Sequence, residues 1–412
     1  MINFKKENIN RITDFIKSGV KKHLNKKIGV ECEHIITDSN FKAVSFYGAN
    51  GVEEILKDLS QFYPEKTYSD GYLVGLNNGE IFITLEPAAQ IEVSIIPLEK
   101  VKEIEKLYLA FIDNITPILK KYGYILNNLG YHPSSKADDL PLIPKERYRL
   151  MDSYFISNGY SPRYMMRGSA SVQVNIDYFN ENDFVQKYRL ANLLTPLFYL
   201  ITDNSEVFEG SVYNKYSARS FAWDNVDNSR CGFLDIKSFE EYARWVYSTQ
   251  PIFIQKKDND IFCENMSNEE IFKKQLLSLE DIKHIMSIVF PNVRVKQFIE
   301  IRAGDSMPTE FMLAYACLIK GLFYNSETIN CINSMFDFVS VDDMINQIGL
   351  IRDNGFNCDY YGYDMKILLE KVFILAEKEL DYEERQFLMP LKTTALSFKP
   401  IKQFLGPEVT IL

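Results

Sequence analysis

The chain has 412 residues, of which 46% are hydrophobic and 25% charged, the profile of a soluble globular protein rather than a disordered or fibrous one. Its formal net charge of −10 argues against nucleic acid or an anionic membrane surface as the main partner, while leaving room for a local basic pocket. The six cysteines form no C-x-x-C pair, so neither a zinc knuckle nor a thioredoxin-like site is indicated, and they read as reduced thiols.

The opening MINFKKENIN lacks an apolar signal core, and no stretch reaches the ~18 apolar residues of a membrane span. The expected compartment is therefore the cytoplasm. Helical spacing runs over 6–22, and KIGVECEHII reads as a strand. GVEEILKDLSQFY places Val52, Ile55, Leu56 and Leu59 on one helix face. Short strands follow near 72–76. IFITLEPAAQIEVSII, 81–96, then reads as one buried strand, yet it carries Glu86, Pro87, Gln90 and Glu92. A lone carboxylate in apolar surroundings is costly unless paired, protonated or metal-bound.

Beyond it, Val101, Ile104, Leu107, Phe111, Ile115 and Ile118 mark a long amphipathic helix, kinked at Pro117 and ended by Gly123. Residues 130–164, rich in proline, glycine and charge, predict a loop. ASVQVNIDY predicts a strand, ENDFVQKYRLANLLTPLFYLI a helix, 203–235 another loop, and VKQFIEIRAGD a last strand. Helices are expected from there to about residue 390. The mixture predicts an α+β fold with a mainly antiparallel sheet.

Polar residues recur at spacings of two along these strands. Glu31 and Glu33 alternate with Val30, Cys32 and His34. Gln173, Asn175 and Asp177 alternate with Val174 and Ile176. Glu300 and Arg302 alternate with Ile299, Ile301 and Ala303. Residues two apart share a strand face, so each strand has one apolar face and one face of carboxylates, amides or arginine. A half-solvated sheet would also show alternation, but would use Lys, Thr and Ser more freely. If these strands share a sheet, Glu31, Glu33, Glu86, Glu92 and Glu300 converge. Two like charges ~4 Å apart repel by roughly 4 kcal/mol at an effective dielectric near 20, so such a cluster requires cations. Oxygen donors without thiolates favour Mg2+ or Mn2+ over Zn2+. Metal held this way commonly carries nucleotide phosphates, and Arg302 is placed to stabilise a transferring phosphoryl group. No Walker A or G-x-G-x-x-G motif is present.

These residues lie in segments that resemble the plant-type glutamate–cysteine ligases, a family shared by plants and many bacteria. IGVECEHI resembles its G-x-E-x-E strand, and LEPAAQIEVS its L-E-P-G-G-Q-x-E-x-S segment. IPKERYRLMDSYF with YMMRGSASVQVNIDY resembles its P-K-x-R-Y and M-M-x-x-T-x-x-V-Q-V-N-x-D run. NSEVFEGSVYNKYSARSFAWDNVDNSRCG and HIMSIVFPNVRVKQFIEIRAGDS resemble two further segments, and the matches run in order from about 28 to 324. The resemblance implies a curved antiparallel sheet forming a funnel, related to the catalytic sheet of glutamine synthetase. It implies one large catalytic unit over 1–412, with 28–324 as its core and 325–412 mostly helical. It implies ATP and Mg2+ (or Mn2+), and two steps: phosphorylation of the γ-carboxylate of glutamate, then attack by the amine of cysteine. Carried onto matching positions, Glu31, Glu33, Glu86, Glu92, Gln173 and Glu300 would bind metal, with Glu300 and Arg302 catalytic. Arg302 would contact the transferring phosphate, and Arg219 and Asn175 would hold glutamate. The chain departs from the family at Ala88 and Ala89, where it has two glycines, at Gly168, where some members have arginine, and at TQPIFI, which replaces V-P-M-Y-F.

The remaining candidates read as structural. His34 faces away from the glutamates, His284 braces its segment, Cys32, Trp223 and Trp245 pack in the core, and KKHLNKK is a solvated helix end. Two rival readings stay open: a carboxylate–amine ligase of the same scaffold with another amine or acid, and a non-catalytic ATP or amino-acid sensor. Oligomeric state is not legible.

Overall fold

Alternating apolar and polar residues build one nine-stranded sheet. The computed structural model describes residues 3–22, 25–156, 160–254, 261–263 and 266–405. The strands are β1 (Ile28–Thr37), β2 (Glu65–Ser69), β3 (Tyr72–Asn77), β4 (Ile81–Leu85), β5 (Ile91–Leu98), β6 (Ile125–Asn127), β7 (Ser171–Ile176), β8 (Val293–Val295) and β9 (Ile299–Asp305). Their order is β8-β9-β7-β1-β5-β4-β3-β2, with β6 paired to the far end of β1. Every pairing in this sheet is antiparallel.

One face of the sheet is apolar. Val30 stands between Val174 and Ile95, and Cys32 between Val172 and Val93. All are buried, each such side chain contributing about 1.5–3 kcal/mol relative to exposure. Under this face lies the helix Thr309–Phe323, whose residues from Phe311 to Phe323 are all buried. A helix apolar on every side belongs in a core, and here Met365–Glu377 and Tyr382–Leu396 cover it. The long helix Val101–Tyr122 packs behind β5 and ends, as the pattern predicts, on Gly123 at φ 73°.

Five expectations need correction. Residues 81–96 are two strands, because Pro87 cannot donate to a ladder and Glu86–Ala89 instead closes a turn, with Ala89 N donating to Glu86 O at 3.0 Å. VKQFIEIRAGD is likewise split, with the turn at 296–298 joining β8 to β9. The expected loop at 130–164 contains the helix Glu146–Phe155, and that at 203–235 the short helix Ala218–Ala222. The first helix spans Phe4–Lys17, ending before Gly19. In KKHLNKK, Lys21 and Lys22 are exposed and Lys26 pairs with Glu379, while residues 23 and 24 lie outside the described residues. Among the described residues no helix is long and apolar enough to cross a membrane.

Candidate active site

The polar residues meet because of register. β1 and β5 set Glu33 opposite Glu92, β1 and β7 set Glu31 opposite Gln173, and β9 and β7 set Glu300 opposite Asn175. With side chains alternating, all six point to the face opposite the apolar one. Glu86 joins them from the β4–β5 turn. A bulge between Ile301 and Gly304 sets both Arg302 and Ala303 against Gln173 of β7.

The result is a cavity of about 260 Å³, lined by Glu31, Glu33, Glu86, Glu92, Gln173, Arg219 and Arg302. Seven of the nine residues nominated from sequence thus face one space. Arg147, Arg294, Lys296, Gln90, Tyr148 and Trp223 line it too.

The carboxylates fall into two kinds. Glu33 accepts from Ser171 N at 2.7 Å and from Gln173 Nε2 at 3.0 Å. Burial and the nearby Glu92 nevertheless push its pKa up to about 7. Burial and Glu33 raise Glu86 to about 7. Burial, Glu86 and Glu31 raise Glu92 to about 8, although Thr84 Oγ1 donates to it at 2.8 Å. Among the described residues none of Glu31, Glu33, Glu86 and Glu92 carries a salt bridge. Such mutual repulsion is relieved by protons or by a divalent cation, and oxygen-only donors suit Mg2+ or Mn2+. As they stand, no three His, Cys, Asp or Glu side chains among the described residues are gathered tightly enough to hold a metal ion.

Glu300 is of the other kind. It is fully buried and bonded by Arg294 Nε at 2.5 Å, Lys296 Nζ at 3.0 Å and Arg302 NH1 at 2.9 Å. Burial pushes its pKa up, but the three cations outweigh this and hold it well below the carboxylate range. With both oxygens so engaged, the expectation that Glu300 ligates metal does not suit this arrangement; it anchors the cations instead. Asn175 also departs from its expected place. Its amide donates to Glu31 at 2.6 Å, and it lines a neighbouring hollow rather than the cavity that holds Arg219.

Arg219 sits on the helix Ala218–Ala222, whose cap Ser217 holds the left-handed region at φ 53°. Only 2% of the residue is exposed, and its Nε and NH1 have no hydrogen-bond partner among the described residues. Two acids of the loop that follows are already taken: Asp224 pairs with Arg352 at 2.8 Å and Asp227 with Arg230 at 2.7 Å. A buried guanidinium with free donors requires an anion. Trp223 packs against the core, as expected, and also forms part of the cavity wall, its ring centroid 5.7 Å from the Arg219 guanidinium and 5.5 Å from that of Arg302.

The other structural readings match their surroundings. His34 packs on the opposite face, 2.7 Å from Tyr108 Oη. His284 Nε2 lies 2.7 Å from Phe253 O, Cys32 is buried, and Trp245 packs against Tyr242. Ala89 occupies φ 69°, the region the family's glycine would tolerate. At Gly168, a Cβ would stand 2.3 Å from the Tyr131 ring, so no side chain fits there. Sequence reasoning assigned no role to Arg147, Arg294 and Lys296. A signal existed for two of them: Arg294 on β8 and Lys296 at the start of the turn that follows are spaced by two, just ahead of Glu300.

The crystal structure of a glutamate–cysteine ligase from Francisella tularensis in complex with AMP superposes with a TM-score of 0.50 at 11% identity, covering 90% of this chain and 82% of that one. That likeness bears on the fold alone, and it is the glutamine synthetase-like architecture expected. Glutamate–cysteine ligase B, chloroplastic, of Oryza sativa subsp. japonica is 28% identical over 334 residues, 78% of this chain and 67% of that protein. Glutamate–cysteine ligase, chloroplastic, of Nicotiana tabacum is 25% identical over 390 residues, 91% of this chain and 74% of that protein. The model of glutamate-cysteine ligase family 2 matches residues 27–330, which contain every cavity-lining residue named above, and the chain belongs to that family.

Proposed function

We propose that this protein is an ATP-dependent ligase that joins the γ-carboxylate of glutamate to the amine of cysteine. One observation carries the reading: four carboxylates that form no salt bridge among the described residues share a cavity with Arg302 and with the buried Arg219, whose Nε and NH1 have no hydrogen-bond partner there. Arg219 takes the α-carboxylate of glutamate as a two-pronged donor. Arg302, held by Gln173 Oε1 at 2.9 Å and Glu300 Oε2 at 2.9 Å, presents its remaining donors to the transferring phosphoryl group. Glu31, Glu33, Glu86, Glu92 and Gln173 would hold Mg2+ or Mn2+, which when bound neutralises the triphosphate.

The γ-carboxylate oxygen attacks the γ-phosphorus, forming an acyl phosphate and releasing ADP. The free amine then attacks the acyl carbon, expels inorganic phosphate and loses a proton, leaving an amide. Residues 28–324 carry this chemistry within one catalytic unit. The C-terminal helices brace it, since Arg352 on Val341–Asn354 holds Asp224 beside Trp223.

The test is ADP release by purified protein with ATP, Mg2+ and glutamate across a panel of amines, with the product identified by mass. γ-Glutamylcysteine is expected. Turnover with another amine or acid only would favour the related ligase reading. Absence of ADP with every pair would leave a binding protein.

A further inference from the structure

Arg219 lines the cavity from a turn whose support lies outside it. Its helix starts at Ser217, which is buried and left-handed. The chain reaches Ser217 through 203–216, whose regular structure is one short hairpin, Val207–Phe208 paired with Ser211–Val212. A single side chain gathers this segment. Lys402, on the helix Ile401–Leu405, is buried. Its ammonium lies 2.8 Å from Asp203 Oδ2 and donates to Lys215 O at 2.9 Å and to Ser205 O at 3.3 Å. An ammonium has three donors, and here three oxygens receive them. The Tyr213 and Tyr216 ring centroids stand 5.8 and 5.7 Å away, and the Lys402 backbone N–H donates to Asp203 O at 3.1 Å. Lys402 thus joins the start of the segment to its end. The Asp203 carboxylate also faces the backbone N–H of Ser217.

The tie matters because Arg219 has a rival for its charge. Asp305, fully buried, pairs with Ser171 in the β9–β7 register and so stands on the polar face with Gln173. Its Oδ2 accepts from Asn204 N at 3.0 Å and from Ser205 Oγ at 3.3 Å. Burial and Asp203 push its pKa up to about 7, while Arg219 pulls it down. A guanidinium with free donors pairs with a free carboxylate oxygen wherever the backbone lets them meet. Here they stay apart: among the described residues Asp305 Oδ1 has no hydrogen-bond partner, and neither have Nε and NH1 of Arg219.

We infer that Lys402 is a positioning residue for glutamate binding: by holding Asp203, Ser205 and Lys215 on one ammonium, it fixes the Arg219 turn so that the guanidinium meets the substrate's α-carboxylate and not Asp305. This role rests on the reading above, in which Arg219 takes that carboxylate.

The test is steady-state kinetics of the full chain carrying Lys402→Met, alone and with Arg219→Ala. Alone, Lys402→Met should raise KM for glutamate roughly 10-fold, with kcat and KM for ATP held within about twofold. Because Lys402 acts through Arg219, it should add less than about twofold to KM for glutamate once Arg219 is alanine. The Lys402→Met/Asp203→Asn variant leaves no buried charge unpaired and guards against loss of folding. It should show the same rise, since the tie between Ser205 and Lys215 stays cut. An unchanged KM for glutamate in either folded variant overturns the role. So does a parallel rise in KM for ATP, or a rise of the same factor with and without Arg219. If the wild type does not consume glutamate at all, the ligase reading fails and this role with it, an outcome distinct from normal glutamate turnover with indifferent Lys402 variants.

Discussion

Arg219 is buried, charged and short of partners, and that combination makes it the most informative single residue. Arg219→Ala should raise KM for glutamate by roughly 10- to 100-fold, the scale of a lost charge-assisted pair, while KM for ATP stays nearly fixed. Steady-state kinetics with each substrate varied in turn checks this; a parallel rise in both constants with a lower melting temperature would make it a scaffold residue. Arg302→Lys keeps a charge but loses the planar fork, whose NH1 alone bonds both Gln173 and Glu300 and so leaves the other nitrogens to reach the phosphate. A kcat fall of roughly 10²-fold is expected, and near-normal kcat in the folded variant would take Arg302 away from the phosphate. Ala89 illustrates the opposite situation, a residue at odds with its backbone. Its left-handed conformation costs an L-residue roughly 1–2 kcal/mol, partly offset in glycine by unfolded-state entropy. Ala89→Gly should therefore stabilise the protein by about 0.5–1 kcal/mol, readable as a shifted urea midpoint at constant m.

Elements bring these residues together by devices that spacing alone conceals. The β4–β5 hairpin lifts Glu86 over the cavity, and Gln90 ties its tip down, its amide donating to Ser169 O at 3.1 Å. The C-terminal helix Val341–Asn354 acts on the Arg219 segment from outside: Arg352 NH1 bonds Asp224 at 2.8 Å, and Arg352 O accepts from Tyr216 N at 3.0 Å. Because the Asp224 side chain is 46% exposed, this pair adds little to stability. Its effect should be positional. Asp224→Ala is expected to raise KM for glutamate several-fold, less than Arg219→Ala, with the melting temperature nearly unchanged. An unaltered KM would show that the helix merely covers the loop.

For the molecule as a whole, the three crowded carboxylates link stability to pH and metal. Glu33, Glu86 and Glu92 have pKa values near 7, 7 and 8 in the folded protein, against about 4.3 when unfolded. Between these limits the folded form holds more protons than the unfolded one. Without metal, stability should thus fall as pH rises from about 5 to 8, by at most about 1.4 kcal/mol per pH unit per group. A bound divalent cation replaces those protons, so Mg2+ should raise the melting temperature more at pH 8 than at pH 5.5, and EDTA should remove the gain. Equal shifts at both pH values would count against the carboxylates as metal ligands. Glu300 contributes with the opposite sign and elsewhere: its depressed pKa makes its stabilisation vanish only on acidification below the carboxylate range.

Which residues share a strand face was legible from the chain alone. Alternation is a local property of a strand, so Glu31 with Glu33, and Glu300 with Arg302, were legible from spacing. So were the apolar face beneath them and the helix ending at Gly123. Tertiary structure decided the rest. That 81–96 folds back on itself depended on Ile91 finding Leu85 across a turn. Which carboxylates stay crowded and which are neutralised depended on strand pairing and on the turn at 296–298, which bring Arg294, Lys296 and Arg302 within 3.0 Å of Glu300. By spacing alone Glu300 was equivalent to Glu33; the β8–β9 pairing set Arg294 and Lys296 upon one and left Glu92 facing the other. Charge is written in the sequence, but its compensation is a matter of distance, and only register and packing set distances.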